Sequence, residues 1–574
     1  MCPYMAVKRR KKANGRIYLE EYKSVRVDGK VKSIYVRSLG PESPVEPKKP
    51  KRRVIDRLEP GPSHRAGDVT LLWKLAQDLD FVKIIDSICC QENNIEGISP
   101  GKLITAWAIN KVIDPTSATQ LERWIPTTDL PRLMDVNPID LDKHAFLSAL
   151  DFICYEDKWT DGIQDNTRKI DDALYRRWRE LYPLKKGEDE VLAYDITTVL
   201  FFGVSCPLAE LGYNPDKIKR LLVNLALVVS KRERYPILHI IHNGSKNGKA
   251  TIKNLILALQ ESSIETGTLI WDRGNVSKEN IIDAEKAHWK IICGIPKTSK
   301  QVNDILKNTT VDCSWNTLVR SSKAGHVYAV KTDNVLYGKR RNLIVYMNRE
   351  RGVKDANSRN EALLSINEAL SDLNKNGSDW SEKRLHAEIK KIVGEYGRFV
   401  DTRVSRKGTG PRISWKFNDR KIREAEKMDG TYLLLSTDMK LSAREVVNQY
   451  LEKDFIEKVF RTLKTKEELE PVRHRLESRV RGYLFVCVLA YRLISYLQHK
   501  MREISDKNDT WERADSLLAE LERVERVRIK LGHQVKIWYL NVPKKTEKTL
   551  KELGLGDLFK ETTETDFSDV GGKD

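Results

Sequence analysis

No Cys-x-x-Cys pair occurs among the eight cysteines of this 574-residue chain, and its ten histidines are scattered. That distribution offers no zinc site. The eight are Cys2, Cys89, Cys90, Cys154, Cys206, Cys293, Cys313 and Cys487; several of them sit in apolar runs and read as small core residues in a reducing cytoplasm. Long apolar runs are missing too. The longest, 484–491, is far too short to span a bilayer and is followed by Arg492. The N-terminus is charged without an apolar core, so no secretory signal is read there. There is no internal repeat and no Gly-rich phosphate loop of the nucleotide-binding type. A membrane partner is therefore not expected.

Positive charge is plentiful. The formal net charge is +19, with 40% hydrophobic and 32% charged residues, which suits a soluble globular protein with a polyanionic partner. Its distribution is uneven: residues 1–53 carry 16 Lys and Arg against 5 Asp and Glu, whereas 561–574 carry 5 acids and one Lys. An ordinary lysine-rich surface, or a terminus that only aids solubility, is the alternative reading. The length suggests two to four domains. Strands 17–27 and 31–39 flank Asp28-Gly29, a hairpin signal, behind the basic run 8–12; a proline-rich basic linker follows over 41–53. Residues 65–185 have helical periodicity. Strands are expected at 191–203, 221–230, 236–242, 267–271 and 290–294, with helices at 248–261 and 277–287, the pattern of a mixed α/β sheet. Further on, a hairpin is expected around 334–338, helices near 355–375 and 381–394, and strands near 398–405, 412–418 and 431–436. The last stretch reads as a helix at 509–529, a strand at 535–540, another helix and an acidic tail.

Three segments carry chemistry. In the run 450–464, at 3.6 residues per turn, Lys453, Glu457 and Lys464 fall within about 60° of Tyr450 on a helix. One stripe then holds an aromatic, a carboxylate and two ammonium groups, while Leu451, Phe455, Val459, Phe460 and Leu463 face a core. A carboxylate flanked by cations suits a metal site that handles a phosphodiester; a solvated face with i,i+4 charge pairs is the plain alternative. Ser442 with Glu445 forms a capping box where this helix should start. The second segment, 191–203, reads as a buried strand with Asp195 in its middle, where a bare carboxylate is costly and a cation is expected beside it. A hydrogen-bonded Asp at a bulge would look the same. In the third, 267–277, an apolar strand ends in Asp272 before a Gly-containing turn and Ser277, a helix cap. A ligand often sits at such a strand end, although Asp-Arg-Gly is commonly only a turn.

Together these residues resemble the DDE transposases of bacterial and archaeal insertion sequences, in the branch whose last motif reads Tyr, two residues, Arg, three residues, Glu, six residues, Lys. Tyr450, Lys453, Glu457 and Lys464 match that spacing, with Lys in place of Arg. Tyr194-Asp195-Ile196-Thr197 matches the first-Asp strand and Asp272-Arg273-Gly274 the second. The segment 471–482 looks like the family's stretch after the catalytic helix, and the resemblance covers roughly 60–500. It implies an α/β fold with a ribonuclease-H-like catalytic core, Asp195 on its first strand and Asp272 at the end of its fourth. The interval of 185 residues from Asp272 to Glu457 implies a large, mainly β insertion. The expected domains are a basic β-hairpin arm and linker (1–53), a helical candidate DNA-binding domain (54–187), the core in two parts (188–296 and 441–500) around the insertion (297–440), and a C-terminal region (501–574).

The resemblance further implies that Asp195, Asp272 and Glu457 are catalytic and hold two Mg²⁺ ions, with Mn²⁺ able to substitute. Tyr450, Lys453, Lys464, Arg273 and His474 become candidates for DNA or phosphate contact. Double-stranded DNA, both transposon ends and target, would be the partner of a homodimer formed on DNA, cytoplasmic and nucleoid-associated in a prokaryote, and no nucleotide cofactor would be needed. Trp315 and Trp415 are candidates for stacking on an unpaired base, with packing as the alternative. Two departures from the family stand out. Lys453 is a point charge and cannot make Arg's bidentate fork. The loop 243–249 lacks the acid that relatives often carry, so it is given no catalytic role. A ribonuclease-H-like nuclease without strand transfer and a non-catalytic DNA-binding protein are the competing readings.

Overall fold

The computed structural model describes residues 4–13, 15–27, 29–42, 59–90, 97–157, 162–214, 218–262, 264, 266–322, 325–377, 380–407, 410–508, 513–531 and 534–565. The expected linker from 43 onward, Asp28 of the hairpin turn, 509–512 of the expected C-terminal helix and the tail beyond 565 lie outside them. Two compact units divide the chain: residues 1–62, 528–537 and 561–574 form one, and 63–527 with 538–560 the other.

In the first unit the expected hairpin is present as Ile17–Val27 with Lys30–Pro41, and the basic run adds a third antiparallel strand, Met5–Lys11. Buried Glu20 accounts for part of that: Lys12 Nζ and an Arg10 guanidinium nitrogen lie 3.4 and 3.8 Å from its carboxylate.

In the second unit, seven helices lie between Gly67 and Leu181 among the described residues, interrupted by a small hairpin, Cys154–Asp157 with Gly162–Asp165, that the helical periodicity had hidden. The main sheet runs, edge to edge, Pro236–Asn243, Leu221–Ser230, Glu190–Leu200, Gly267–Trp271, Trp289–Ile295, Thr431–Ser436, Lys339–Asn348, Gly325–Leu336, Leu318–Ser322, with the two-residue strand Glu210–Leu211 pairing beside Leu221–Ser230. Glu190–Leu200 is antiparallel to Leu221–Ser230 and parallel to Gly267–Trp271, which is parallel to Trp289–Ile295. The segment expected to be a mainly β insertion is mixed. Its strands at 318–348 and 431–436 extend this sheet, and the 28-residue helix Arg349–Asn376, Glu382–Val393 and the hairpin Val400–Lys407/Gly410–Phe417 form the rest, around Leu363, Ile366, Leu370 and Leu385. The 3–4 spacing of those leucines and isoleucines is what makes the segment helical.

Side-chain alternation sorts the sheet into two buried faces. Leu192, Tyr194, Leu269, Trp271, Ile291 and Cys293 face helices Gly248–Gln260, Lys278–Lys286 and Lys300–Asn308. On the opposite face, Ala193, Leu225 and Leu227 meet Phe455, Val459, Leu463 and the helix Glu477–Asn508, while Ile270, Ile292 and Leu434 meet Val446, Val447 and Tyr450. Residues 477–505 are long and apolar enough to cross a membrane by composition alone, but this stretch is mostly buried inside the protein.

The C-terminal region departs from expectation. Helix Ala514–Leu521 is followed by strand Glu525–Leu531, because Val527 and Ile529 alternate with charged residues at a period of two.

Candidate functional site

By the same parity, Asp195 and Asp272 both fall on the face covered by residues 443–465. Trp271 pairs with Tyr194 in the parallel ladder, so the next residues along the two strands are the two carboxylates. They sit where the sheet changes from antiparallel to parallel neighbours, with the Asp272 strand ending there. The Asp-Arg-Gly turn that follows is a short 3₁₀ segment, Arg273–Asn275, and Ser277 caps the next helix by accepting from the Asn280 N–H at 3.1 Å.

Across from them the chain starts a helix at Ala443 with the expected capping box of Ser442 and Glu445. The single stripe expected over 450–464 is, however, broken. Ala443–Leu451 ends, Lys453 N–H bonds the Tyr450 carbonyl at 3.3 Å in a tightened turn, and a second helix runs Asp454–Thr465. No Pro or Gly marks the break. Its cause is packing: Val446, Val447 and Tyr450 belong to one apolar cluster, and Phe455, Ile456, Val459, Phe460 and Leu463 to another. The break also places Lys453 against the strand ends, buried, with its Nζ 2.7 Å from Asp272 Oδ1 and 5.3 Å from the centre of the Tyr450 ring. The Tyr450 hydroxyl donates to the same Oδ1 at 3.1 Å. Gly294 makes this possible, because a Cβ there would lie 2.4 Å from the Tyr450 hydroxyl and 2.9 Å from Arg273 Cγ.

Asp195, Asp272, Glu457, Tyr450, Lys453, Lys464 and Arg273 all line one cleft of about 720 Å³. Burial pushes the Asp195 carboxyl up to about 7; Asp272 and Glu457 push the same way, against the Ile196 N–H and Lys453. Lys464 lies 3.5 Å from Glu470 Oε1, and Glu470 Oε2 accepts from the Leu200 N–H at 2.9 Å, which ties the end of the second helix to the Asp195 strand.

Three hard oxygen donors facing one cleft, one of them reluctant to ionise, suit a divalent cation in kind. They are not assembled as a closed ligand set: among the described residues no three carboxylate, imidazole or thiol groups stand ready to enclose an ion. The Lys453 ammonium stands on Asp272 instead.

Other expected residues lie elsewhere. His474 does not line the cleft; its ring packs at 5.3 Å on Tyr483, and burial, with Arg479 and Lys111 nearby, holds its imidazole down at about 4, so it is neutral at pH 7. Arg479 pairs with Asp151 at 2.7 Å. Trp415 donates to Asn367 Oδ1 at 2.9 Å and packs in the helical part of the insertion, whereas Trp315 is 87% exposed.

Sequence reasoning missed Asn224. It is buried at the cleft and its Nδ2 donates to the carbonyls of Asn243, Gly244 and Lys246 at 3.0, 3.2 and 3.1 Å, which fixes the turn into helix Gly248–Gln260. A polar residue inside the apolar run 221–230 was the available signal. The loop 243–249 itself lines the cleft through Gly244, Ser245, Lys246 and Asn247.

No curated protein matches the chain. Among solved structures it resembles a piggyBac transposase synaptic complex with hairpin DNA, at 12% identity and a TM-score of 0.38, over 81% of this chain and 82% of that one. The family model described as the transposase DDE domain matches residues 186–493, a span that holds Asp195, Asp272, Glu457 and the cleft between them, and on that match the chain belongs to the DDE transposase family.

Proposed function

We propose that this protein binds the ends of an insertion sequence and catalyses metal-dependent DNA cleavage and strand transfer, with Asp195, Asp272 and Glu457 as its catalytic carboxylates on a ribonuclease-H-like core. One observation carries the reading: two carboxylates adjacent in register on parallel strands face the same cleft as a third on the helix opposite. The strand order, three antiparallel strands followed by two parallel to the first, supports the core assignment.

Asp195, Asp272 and Glu457 would hold two Mg²⁺, or Mn²⁺ in their place. Bound there, such ions supply Lewis acidity and an activated oxygen nucleophile for in-line displacement at phosphorus. The protein's own groups do the rest. Lys464 and Arg273 bring positive charge to the phosphate beside the scissile bond. Tyr450 orients Asp272 through its hydroxyl. Lys453 is the counter-ion of Asp272 and would be within reach of phosphate when DNA enters. The substrate is double-stranded DNA, first the element's ends and then the target; a homodimer would cut both ends together in the cytoplasm, at the nucleoid.

The test is a cleavage and joining assay on DNA from either side of the coding region. Asp195→Asn, Asp272→Asn and Glu457→Gln are each expected to abolish metal-dependent cutting and to leave DNA binding within about twofold. Cutting retained in any one removes that residue from the site. Nicked product with no joined product would make the protein a nuclease rather than a transposase.

A further inference from the structure

One end of the cleft gathers positive charge that the three carboxylates do not neutralise. Lys297 Nζ lies 4.7 Å from the centre of the Tyr432 ring, and the guanidinium carbons of Arg273 and Arg351 lie 5.6 and 5.9 Å from it. Arg273, Arg351 and Tyr432 line the cleft. Two acids stand nearby. Asp355 Oδ2 accepts from the Tyr432 hydroxyl at 3.2 Å and from the Gly430 N–H at 3.0 Å, and its charge acts on Lys297 and Arg351; both oxygens of Asp429 are taken by Arg359 at 2.7 Å. Against the four cations Arg273, Lys297, Arg351 and Arg359, these two carboxylates leave a positive excess. Converging cations repel, and an anion between them relieves the cost.

The backbone holds them in place. Lys297 follows strand Trp289–Ile295, and its Nζ donates to the Met428 carbonyl at 2.8 Å. Arg351 lies in the first turn of Arg349–Asn376, where its N–H is accepted by Asn348 Oδ1 at 2.8 Å. Gly430 has φ +65°, and a Cβ there would lie 2.3 Å from the Asn348 carbonyl oxygen and 2.7 Å from the Gly352 nitrogen. Only glycine lets the helix start come that close to the Tyr432 strand, and this brings Arg351 to the ring.

The ladder puts Asp272 level with Gly294 and Leu434, so Tyr432 lies two strands over and two residues further along. At about 4.8 Å between strands and about 3.3 Å per residue, that is roughly 12 Å. One DNA strand advances about 3.4 Å per nucleotide along its axis while also winding round it, so the cluster meets a phosphate two or three positions from the one at the carboxylates.

We propose that Lys297 and Arg351, gathered round Tyr432 on the side away from the carboxylates, form a phosphate-binding subsite that grips the DNA backbone two or three nucleotides from the scissile bond, while Arg273 stays with the phosphate beside that bond. The proposal rests on the DNA-transfer reading above and assigns a task to the first turn of the insertion helix.

The test uses the full-length protein and a duplex carrying the DNA that flanks the coding region, after the wild-type cut has been mapped. Single uncharged methylphosphonate linkages replace each of the four phosphates on either side of the cut. Binding is followed by fluorescence anisotropy over a salt series for the wild type, the Lys297→Gln/Arg351→Gln double variant and Arg351→Lys. The double variant is expected to lower the slope of log K against log salt by about 2, and Arg351→Lys to keep it. A methylphosphonate two or three positions from the cut should weaken wild-type binding and cost the double variant nothing further. Losses that multiply at every position, an unchanged slope, or an Arg351→Lys variant as weak as the double variant would each overturn the subsite. If the wild type never cuts the unmodified duplex, the transposition reading fails and takes the subsite with it. Cutting together with multiplying losses removes the subsite alone.

Discussion

The ammonium of Lys453 and the hydroxyl of Tyr450 converge on one oxygen, Oδ1 of Asp272, at 2.7 and 3.1 Å. Together they fill both lone-pair positions of that oxygen, so a divalent ion binding Oδ1 would have to displace one of them, and Lys453, the like-charged one, is the group expected to withdraw. Lys453→Met should therefore leave Asp272 facing Asp195 and Glu457 without compensation. The expected result is a metal-free protein that melts lower than wild type and gains more in melting temperature from added Mg²⁺. Differential scanning calorimetry with and without Mg²⁺ measures both. A smaller Mg²⁺ response than wild type would mean that Lys453 does not compete for the site.

Asp195 gives the metal-free protein a pH dependence of definite sign. Its carboxyl is raised to about 7 in the fold, mainly by burial. The unfolded chain ionises near 3.9, so the group's contribution is full below that value and is lost as pH rises to about 7, after which it is flat. The gap between about 3.9 and about 7 caps that contribution at roughly 4 kcal/mol. The buried imidazoles of His242, His474 and His499, held down at about 4, push the whole curve the other way over the same window. The Asp195 contribution is therefore read as a difference: in urea denaturation between pH 4 and 8 without divalent ions, the wild type should lose stability relative to Asp195→Asn as pH rises. A difference that stays flat or grows in favour of the wild type would contradict the assignment.

Gly294 tests whether the Tyr450 contact matters. A Cβ at this position would press on the Tyr450 hydroxyl and on Arg273 Cγ. Gly294→Ala should move both side chains off their partners, cost about 1–3 kcal/mol from overpacking, and lower the cleavage rate more than tenfold while DNA binding survives. A variant that cuts at the wild-type rate would show that Tyr450 need not touch Asp272.

Much of this site was legible because its signals are local. Asp195 interrupts an apolar strand, Asp272 ends one, and Ser442 and Glu445 announce a helix start. The parity that turns both aspartates toward residues 443–465 needs only the alternation of a strand. The break at Lys453 was not legible, since no Pro or Gly marks it and it arises from two apolar clusters pulling half-helices apart. Strand Glu525–Leu531 was hidden by its charge, which resembles an exposed helix when read residue by residue. Lys297, Arg351 and Tyr432 belong to three separate elements, and nothing in their local sequences says that they meet. Asn224 lies between these cases: its polarity was visible, but its three carbonyl partners follow from the turn at 243–247.

The same limit applies to a fully buried ion pair, Arg492 with Asp171. Arg492 is fully buried, with Nε donating to the Pro236 carbonyl at 3.0 Å and one terminal nitrogen reaching the Ile237 carbonyl and Asp171 Oδ1, each at 2.8 Å. Asp171 Oδ2 accepts from the His239 N–H at 3.0 Å, and His239 Nδ1 lies 2.7 Å from it. Burial alone would raise the Asp171 carboxyl, but Arg492 and His239 outweigh it and hold it at about 2. This pair ties helix Glu477–Asn508 and helix Thr167–Leu181 to the strand Pro236–Asn243. Because the folded value is depressed, the stabilisation is present above about 4 and lost as pH falls toward 2. Arg492→Met would strand a buried carboxylate and Asp171→Leu a buried guanidinium, each at a cost of about 3–5 kcal/mol. The double variant Asp171→Leu/Arg492→Met should cost less than the sum of the two, since neither charge is then left alone. Urea midpoints at pH 7 for the four proteins close the cycle, and strictly additive losses would mean that the two side chains do not act as a pair.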